Sequence, residues 1–503
     1  MESCMSLVLP PNKLVRLLFA REKDPKSSKQ SEPRIGLALS FRRTINQFTL
    51  RYLHHSISVA ATMTPVDDPI MYMATVTAPT NIAVIKYWGK ASIPFNTPTN
   101  DSVSVTLDQS DLKAVTTVAT SPSFTQDRLW LNGVEEVSAH SSKRFRACID
   151  GVKELATDKT DKDGQVIVSK QDWKDWKVHV SSYNTFPTAA GLASSAAGYA
   201  ALVAALTELY QAKETFPHEL TTIARQGSGS ACRSLYGGFV AWRAGTEANG
   251  WKDSLAEPVV AAETKSQSSP PSPHLHWPEM RAVILVVSAQ KKHTSSTAGM
   301  QTSWETSPFL KFRSTQVVAP RMKAMEQAWI DKDFATFAAL TMQDSNSFHA
   351  TCLDTFPPIF YMNDTSRDII RLVTAYNEYY GEYRVAYTFD AGPNAVLYTT
   401  EPYLAEVVQL VQRFFPEHGS NFFRGISVDT TTTPLDEAVL QHCIHAMPES
   451  YETQPPSGNV QYMYVTKSGP GPQVVLPSTA ASSVPSDAVT NLDPKTGVNA
   501  YQP

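Results

Sequence analysis

The chain is 503 residues long, enough for a large buried core and for two domains rather than one. Its 44 Lys/Arg and 48 Asp/Glu leave a formal net charge of −4, which excludes the concentrated basic surface that nucleic-acid binding requires. Cys4, Cys148, Cys232, Cys352 and Cys443 are odd in number and widely spaced, with no C-x-x-C pair, so they read as reduced thiols of a cytoplasmic protein. No apolar run reaches the roughly eighteen residues of a membrane helix.

Residues 1 to 62 carry ten Lys/Arg against four Asp/Glu. An Arg-rich leader with Phe41-Arg42-Arg43 and Arg51 suits an organelle transit peptide, but Glu22, Asp24 and Glu32 oppose that reading. The expectation is that residues 1 to 70 form a disordered extension, or an over-long start with translation beginning at Met63 or Met71. From Tyr72 the composition is that of a folded enzyme. Thr75-Val76-Thr77-Ala78 alternates as a strand does, Asn81 to Ile85 continues the pattern, and Ser102 to Leu107 and Leu112 to Ala119 are further strands. Leu129-Trp130-Leu131 runs into a hairpin turn at Asn132-Gly133. Lys143 to Leu155 has helical spacing, Asp158 to Trp173 reads as an exposed excursion, and Trp176 to Ser181 is a strand.

The stretch Pro187-Thr188-Ala189-Ala190-Gly191-Leu192-Ala193-Ser194-Ser195 then opens an Ala- and Leu-rich helix that runs to Tyr210 and is apolar on every turn. The first N–H groups of a helix have no intrahelical partner and the macrodipole is positive there, so phosphate oxygens bind favourably. Gly191, Leu192 and Ala193 would let the backbone approach, and Ser194 and Ser195 would add hydroxyl donors. The plainer alternative is tight packing with a serine N-cap. The spacing matches neither G-x-G-x-x-G nor G-x-x-x-x-G-K-[ST].

Gln226 to Ser234 is a second Gly/Ser-rich turn carrying Arg233, which can clamp phosphate or carboxylate. The strand Phe239 to Trp242 follows. Residues 261 to 276, rich in Ser and Pro, read as a flexible insertion, and Ala282 to Val287 as a strand. Pro320 to Asp344 is helical and ends in the polar cluster Ser345-Asn346-Ser347-Phe348-His349, and Asp390 stands where a strand stops at a Gly392-Pro393 turn. After Pro472 the Ser/Ala/Thr/Pro composition predicts a disordered tail over residues 474 to 503.

Singly, Lys86, the serines and Asp390 are ordinary surface charges or turn residues. Together they resemble a family. Pro187 to Ala196 resembles the phosphate loop of the GHMP small-molecule kinases. Asn81-Ile82-Ala83-Val84-Ile85-Lys86-Tyr87-Trp88-Gly89-Lys90, Gly227-Ser228-Gly229-Ser230-Ala231-Cys232-Arg233-Ser234, Met342 to His349, Phe389 to Ala395 and Gly469-Pro470-Gly471-Pro472 narrow the resemblance to the diphosphomevalonate decarboxylase family, over residues 72 to 473.

The resemblance implies an α+β, GHMP-kinase-type fold. It comprises an N-terminal ribosomal-protein-S5-domain-2-like domain at residues 71 to 260 and a C-terminal ferredoxin-like domain at 277 to 473. It implies ATP-dependent decarboxylation of (R)-5-diphosphomevalonate to isopentenyl diphosphate by a homodimer, with magnesium arriving on the ATP and no dedicated protein metal site. Asp390, Lys86 and Arg233 are the implied catalytic residues. Tyr87, Trp88, Gly89, Lys90, Arg144, Ser228, Gly229, Ser230, Ala231, Cys232, Arg233 and Thr297 are the implied substrate contacts, and Gly191, Leu192, Ala193, Ser194 and Ser195 the implied ATP contacts. His349 is either a structural histidine or a ligand.

Ala91-Ser92 stands where the family has Arg-Asp, Thr185 where it has Asn, and Asp101 where it has Ser. None of these removes a proposed catalytic group, but the first changes the charge balance near Lys90. Two rival readings are a kinase of the same superfamily that stops at a phosphorylated product, and a non-catalytic relative that senses nucleotide or metabolite. Arg233 argues against the first, and Asp390, Lys86 and Ser195 together against the second.

Overall fold

The computed structural model describes residues 70–110, 112–186, 194–260, 272–290, 293–417, 421–431, 434–453 and 455–502. All of them lie in one compact unit, Pro65–Pro503. The expected extension before residue 70, the loop residues 187–193 and most of the insertion (261–271) fall outside the described residues.

Three larger sheets organise the fold. The first has six strands in the order Gln473–Ala480, Tyr72–Pro79, Lys113–Ser121, Lys177–Asn184, Arg128–Leu131, Val134–Glu135. All its neighbours are antiparallel except the parallel pair of Lys177–Asn184 with Arg128–Leu131. Period-two alternation sends Val76, Val118, Val178 and Val180 to one face, where they pack under the helices Lys143–Glu154 and Ser194–Tyr210. The helix from Ser194 is apolar on all sides because it is enclosed, and Ala197, Ala200 and Ala201 let it sit against Ala78 and Ala114 of the sheet.

The second sheet runs Ala256–Pro258, Phe239–Trp242, Ser102–Thr106, Asn81–Ile85, and the third Val385–Phe389, Ala395–Thr400, Met280–Val286, Tyr462–Lys467, Phe423–Gly425. Between these two sheets lie the helices Val318–Asp331 and Phe334–Asp354. Trp329 and Phe337 of these helices join Ile82, Val103 and Phe239 on one side to Met280, Ile284 and Tyr398 on the other. The far face of the third sheet is covered by helices Asp364–Tyr380, Glu401–Phe414 and Glu437–Ala446.

Three expectations are corrected. The 158–173 segment is not wholly an exposed excursion: its short pair Lys159–Thr160 and Val166–Val168 leads into a helix, Lys170–Asp175, that buries Trp173 completely. The helix over 320–344 does not end at the polar cluster but runs unbroken from Phe334 to Asp354, since Ser345–His349 find partners on neighbouring elements. The tail after residue 473 is not disordered. Gln473–Ala480 pairs with Tyr72–Pro79, and the residues beyond lie over the polar face of the six-stranded sheet. Asn491 donates to the carbonyls of Val115 (3.1 Å) and Ser181 (3.3 Å), the Ser181 hydroxyl donates to Asn499 (2.6 Å), and Leu492 is fully buried.

Candidate active site

A cleft is lined by Lys86, Tyr87, Trp88, Lys90, Arg144, Ser194, Ser195, Ser228, Gly229, Ser230, Arg233, Thr297 and Asp390, together with Ala83, Asn96, Ser296, Met300, Phe348 and Ala391. The residues come from both halves of the chain. Lys86 follows the strand Asn81–Ile85, and Asp390 follows Val385–Phe389. The Lys86 ammonium donates to Asp390 at 2.6 Å and to the Ala83 carbonyl at 2.7 Å. Lys86 is 3 % exposed and Asp390 31 %, so the carboxylate faces the cleft while its cation is covered.

Arg233 lies in the short 3-10 helix Gly229–Leu235 and is fully buried. Its Nε donates to Ser104 (2.9 Å) and more weakly to Asn81 (3.3 Å), and its Nη1 to Ser102 (2.7 Å). Tyr87 and Trp242 lie beside the guanidinium, each ring 5.7 Å away. These partners are neutral. Burial lowers the guanidinium pKa, opposed by the nearby Asp390 among others. A buried cation whose described partners are hydroxyls, an amide and aromatic rings favours an anion arriving from the cleft. Ser102 and Ser104 are two residues apart on one strand, so both face the arginine.

Lys90 and Arg144 carry positive charge at another part of the cleft. Burial, reinforced by Arg144, pulls the Lys90 ammonium down to about 8. Arg144 also donates to the Thr297 hydroxyl at 3.0 Å. The Ser195 hydroxyl, at the start of its helix, lies 3.1 Å from that of Ser228, so the Ser194–Tyr210 helix and the 228–234 turn meet here. Gly229 is required by close approach: a Cβ there would lie 2.6 Å from the Tyr87 hydroxyl and 2.9 Å from the Trp242 ring.

Three expected contacts do not line the cleft. Gly89 makes the turn between Trp88 and Lys90 at φ +90°, and a Cβ there would be 3.0 Å from Thr99 Oγ1. Ala231 packs in the core with the Ser194–Tyr210 helix. Cys232 is fully buried among Val240, Trp242 and Ala256, its thiol pushed up to about 12 by burial. The side chains of residues 229–235 alternate between cleft and core because the chain turns helically there. Gly191, Leu192 and Ala193 lie outside the described residues. His349 is also outside the lining. Burial, followed by the Lys86 cation, lowers its pKa to about 4 and leaves it neutral between Phe348 and Phe389.

The sequence reading missed a second, apolar pocket that shares Ser194 and Ser195 with the cleft. Leu129, Leu131, Phe145, Val180, Tyr199 and Leu202 form its walls, with Asn132, Ser182 and Asn184 at its polar edge. Only the meeting of four elements creates it, and no local motif announces it. A flat apolar group beside a helix start could be held here while its phosphates lie against Ser194 and Ser195.

The two-domain α+β architecture and this cleft place the molecule in the GHMP-kinase fold class. Residues 78–256 match the family described as diphosphomevalonate decarboxylase-like N-terminal domain, and residues 282–475 match the mevalonate 5-diphosphate decarboxylase C-terminal domain. The chain is 49% identical over 412 residues to the diphosphomevalonate decarboxylase of Rattus norvegicus, which covers 81% of this chain and 95% of that protein. It is similar to the crystal structure of a mevalonate 5-diphosphate decarboxylase at 2.3 Å resolution (TM-score 0.65, 42% identity, 85% of this chain and 100% of that one). It is also similar to MDDEF in complex with MVAPP, AMPPCP and magnesium (TM-score 0.56, 26% identity, 81% and 99%). The chain belongs to the diphosphomevalonate decarboxylase family.

Proposed function

We propose that the chain catalyses the ATP-dependent decarboxylation of (R)-5-diphosphomevalonate to isopentenyl diphosphate, releasing ADP, phosphate and carbon dioxide, in the mevalonate route to isoprenoids and sterols. The single observation that carries this reading is the convergence of the Lys86–Asp390 pair, the buried Arg233 and the Ser194–Ser195 helix start on one cleft.

The tertiary 3-hydroxyl of the substrate is a poor leaving group. Its oxygen attacks the γ-phosphorus of ATP and ADP departs. The substrate's own C–O bond, now activated by the new O–P bond, then breaks with loss of phosphate, and the C–C bond to the carboxylate breaks to supply the electron pair of the double bond as carbon dioxide leaves. Asp390 is placed in this proposal beside the hydroxyl, as acceptor of its proton or as its orienting partner, and its charge offsets the positive character that develops at carbon. Lys86 orients Asp390 through the hydrogen bond from its ammonium. Arg233 takes the substrate carboxylate, with Ser228 and Ser230 in the same pocket, and Lys90 and Arg144 take the diphosphate. Ser194 and Ser195 meet the ATP phosphates, and the neighbouring apolar pocket takes the base.

The solved relative holding AMPPCP and magnesium supports ATP with magnesium as the second ligand set. Magnesium binds hard phosphate oxygens and keeps several waters, so it is proposed to arrive on the nucleotide and to neutralise its charge there. The proposal extends to a cytoplasmic homodimer. The buried free thiols of Cys148, Cys232, Cys352 and Cys443 suit a reducing compartment, and no helix among the described residues is long and apolar enough to cross a membrane.

The test follows ADP and carbon dioxide together from purified protein, Mg-ATP and (R)-5-diphosphomevalonate, with equal release expected. ADP without carbon dioxide would favour the kinase reading. Asp390→Ala is expected to abolish turnover while ATP still binds, and near-normal turnover in that variant would remove Asp390 from the mechanism.

A further inference from the structure

The motif Asp344-Ser345-Asn346-Ser347 contributes no side chain to the cleft, yet its Asp344 and Ser345 are buried directly beneath it. Asp344 is 0 % exposed and sits in mid-helix on Phe334–Asp354. One carboxylate oxygen accepts the backbone N–H of Lys86 at 2.7 Å and the Arg313 Nη2 at 2.7 Å, and the other accepts the Arg313 Nη1 at 2.8 Å. Arg313, 2 % exposed, turns the same Nη2 to the Lys86 carbonyl at 3.0 Å. Both polar groups of the Lys86 backbone are therefore gripped by the two members of one buried, bidentate ion pair. The same helix fixes the other partner of the catalytic pair, because Ser345 Oγ accepts the N–H of Phe389, the residue before Asp390, at 3.0 Å.

A helix defect aims the arginine. The helical stretch from Pro308 to Asp331 contains a π segment at Arg313–Val317. Arg313 and Arg321 both reach Asp344, the second at 3.1 Å. Eight residues apart, they would stand about 80° out of line on an uninterrupted α-helix at about 100° per residue. One residue absorbed by the wide turn brings them to within about 20°. The defect thus brings both cations to bear on one carboxylate. A buried ion pair is seldom a net source of stability compared with apolar packing of the same volume. Its placement around the peptide groups of Lys86 is what distinguishes this one.

We propose that Asp344 and Arg313 are positioning residues that hold the Lys86 backbone, and through it the Lys86 ammonium, in register with Asp390. The proposal rests on the decarboxylase reading of the cleft and concerns how its central ion pair is kept in place.

A double-mutant cycle tests it: kcat for carbon dioxide release, per nucleotide-binding site titrated with a fluorescent ATP analogue, for wild type, Arg313→Lys, Lys86→Met and the double variant. Lysine keeps the charge but lacks the planar fork that spans Asp344 and the Lys86 carbonyl. Arg313→Lys is expected to lose on the order of 10–100-fold in kcat, as displaced catalytic groups do, with KM for Mg-ATP nearly unchanged. In the Lys86→Met background the same change is expected to cost less than about threefold, because the residue it acts through is gone. An equal loss in both backgrounds, or wild-type kcat in Arg313→Lys, overturns the proposal. Asp344→Asn, which keeps an acceptor for the Lys86 N–H but faces Arg313 with an amide, runs the same cycle if Arg313→Lys does not fold. Absence of carbon dioxide from the wild-type protein would overturn the reaction assigned above, independently of the cycle.

Discussion

At the scale of the residue, burial decides which charges can act. Lys90 is a cation below its pKa of about 8 and loses that charge above it. A bound diphosphate keeps the ammonium protonated, so the loss belongs to the free enzyme. We expect kcat/KM for the diphosphate substrate to fall above about pH 8, with kcat affected less. Lys90→Arg stays charged and should move that limb upward; an unmoved limb would assign it to another group. Arg233 is held by Ser102 and Ser104 with no carboxylate among its described partners, so its free charge is directed to the cleft. Arg233→Gln is expected to raise the substrate KM by about tenfold or more, the loss typical of a charged hydrogen bond, and to lower kcat. An unchanged substrate affinity would contradict the carboxylate role. Lys86, Arg233 and Asp390 were legible from the sequence through the motifs that carry the family resemblance, since taken singly each reads as an ordinary surface or turn residue. Asp344 lies inside a family motif but nothing local distinguishes it from its polar neighbours, and Arg313 carries no local signal at all, since its role is set by a partner on another helix and by a π turn.

At the scale of the element, the alternation along the strands was readable, but the fate of its polar face was not. Thr75, Thr117, His179 and Ser181 oppose the valines that face the helices, a pattern that normally marks a solvated face. Instead the residues after 473 cover it, and all four are buried. The tail lacks the apolar content that predicts order. It is anchored by hydrogen bonds to buried polar groups, by the stacking of Tyr501 on Tyr183 at 4.1 Å, and by Leu492. Asn491→Ala should therefore destabilise the fold by about 1–3 kcal/mol, the cost of losing the buried hydrogen bonds its amide donates. Urea unfolding would measure this, with activity per folded molecule expected to stay at the wild-type level.

At the scale of the whole molecule, the two halves of the sequence share a core. Trp329, fully buried, stacks on Phe239 at 4.4 Å and meets Trp277 at 5.5 Å, so one side chain joins the second sheet to the helices that rest on the third. Trp329→Ala is expected to cost about 3–5 kcal/mol. Because the core is continuous, far-UV circular dichroism and activity should be lost in one coincident urea transition; separate transitions would show that the halves unfold independently. The sequence by itself determined the strands and the Ala-rich helix from Ser194, because alternation and apolar periodicity are local properties of a chain, and the family resemblance of its motifs pointed to the charged residues of the cleft. Only the tertiary structure decided which of those residues share a cavity, that Cys232 and Ala231 turn away from it, that an apolar pocket opens beside Ser194, and that the tail is ordered. Each of these depends on contacts between residues far apart in the chain, whose energies are set by burial and partnering that no local pattern encodes.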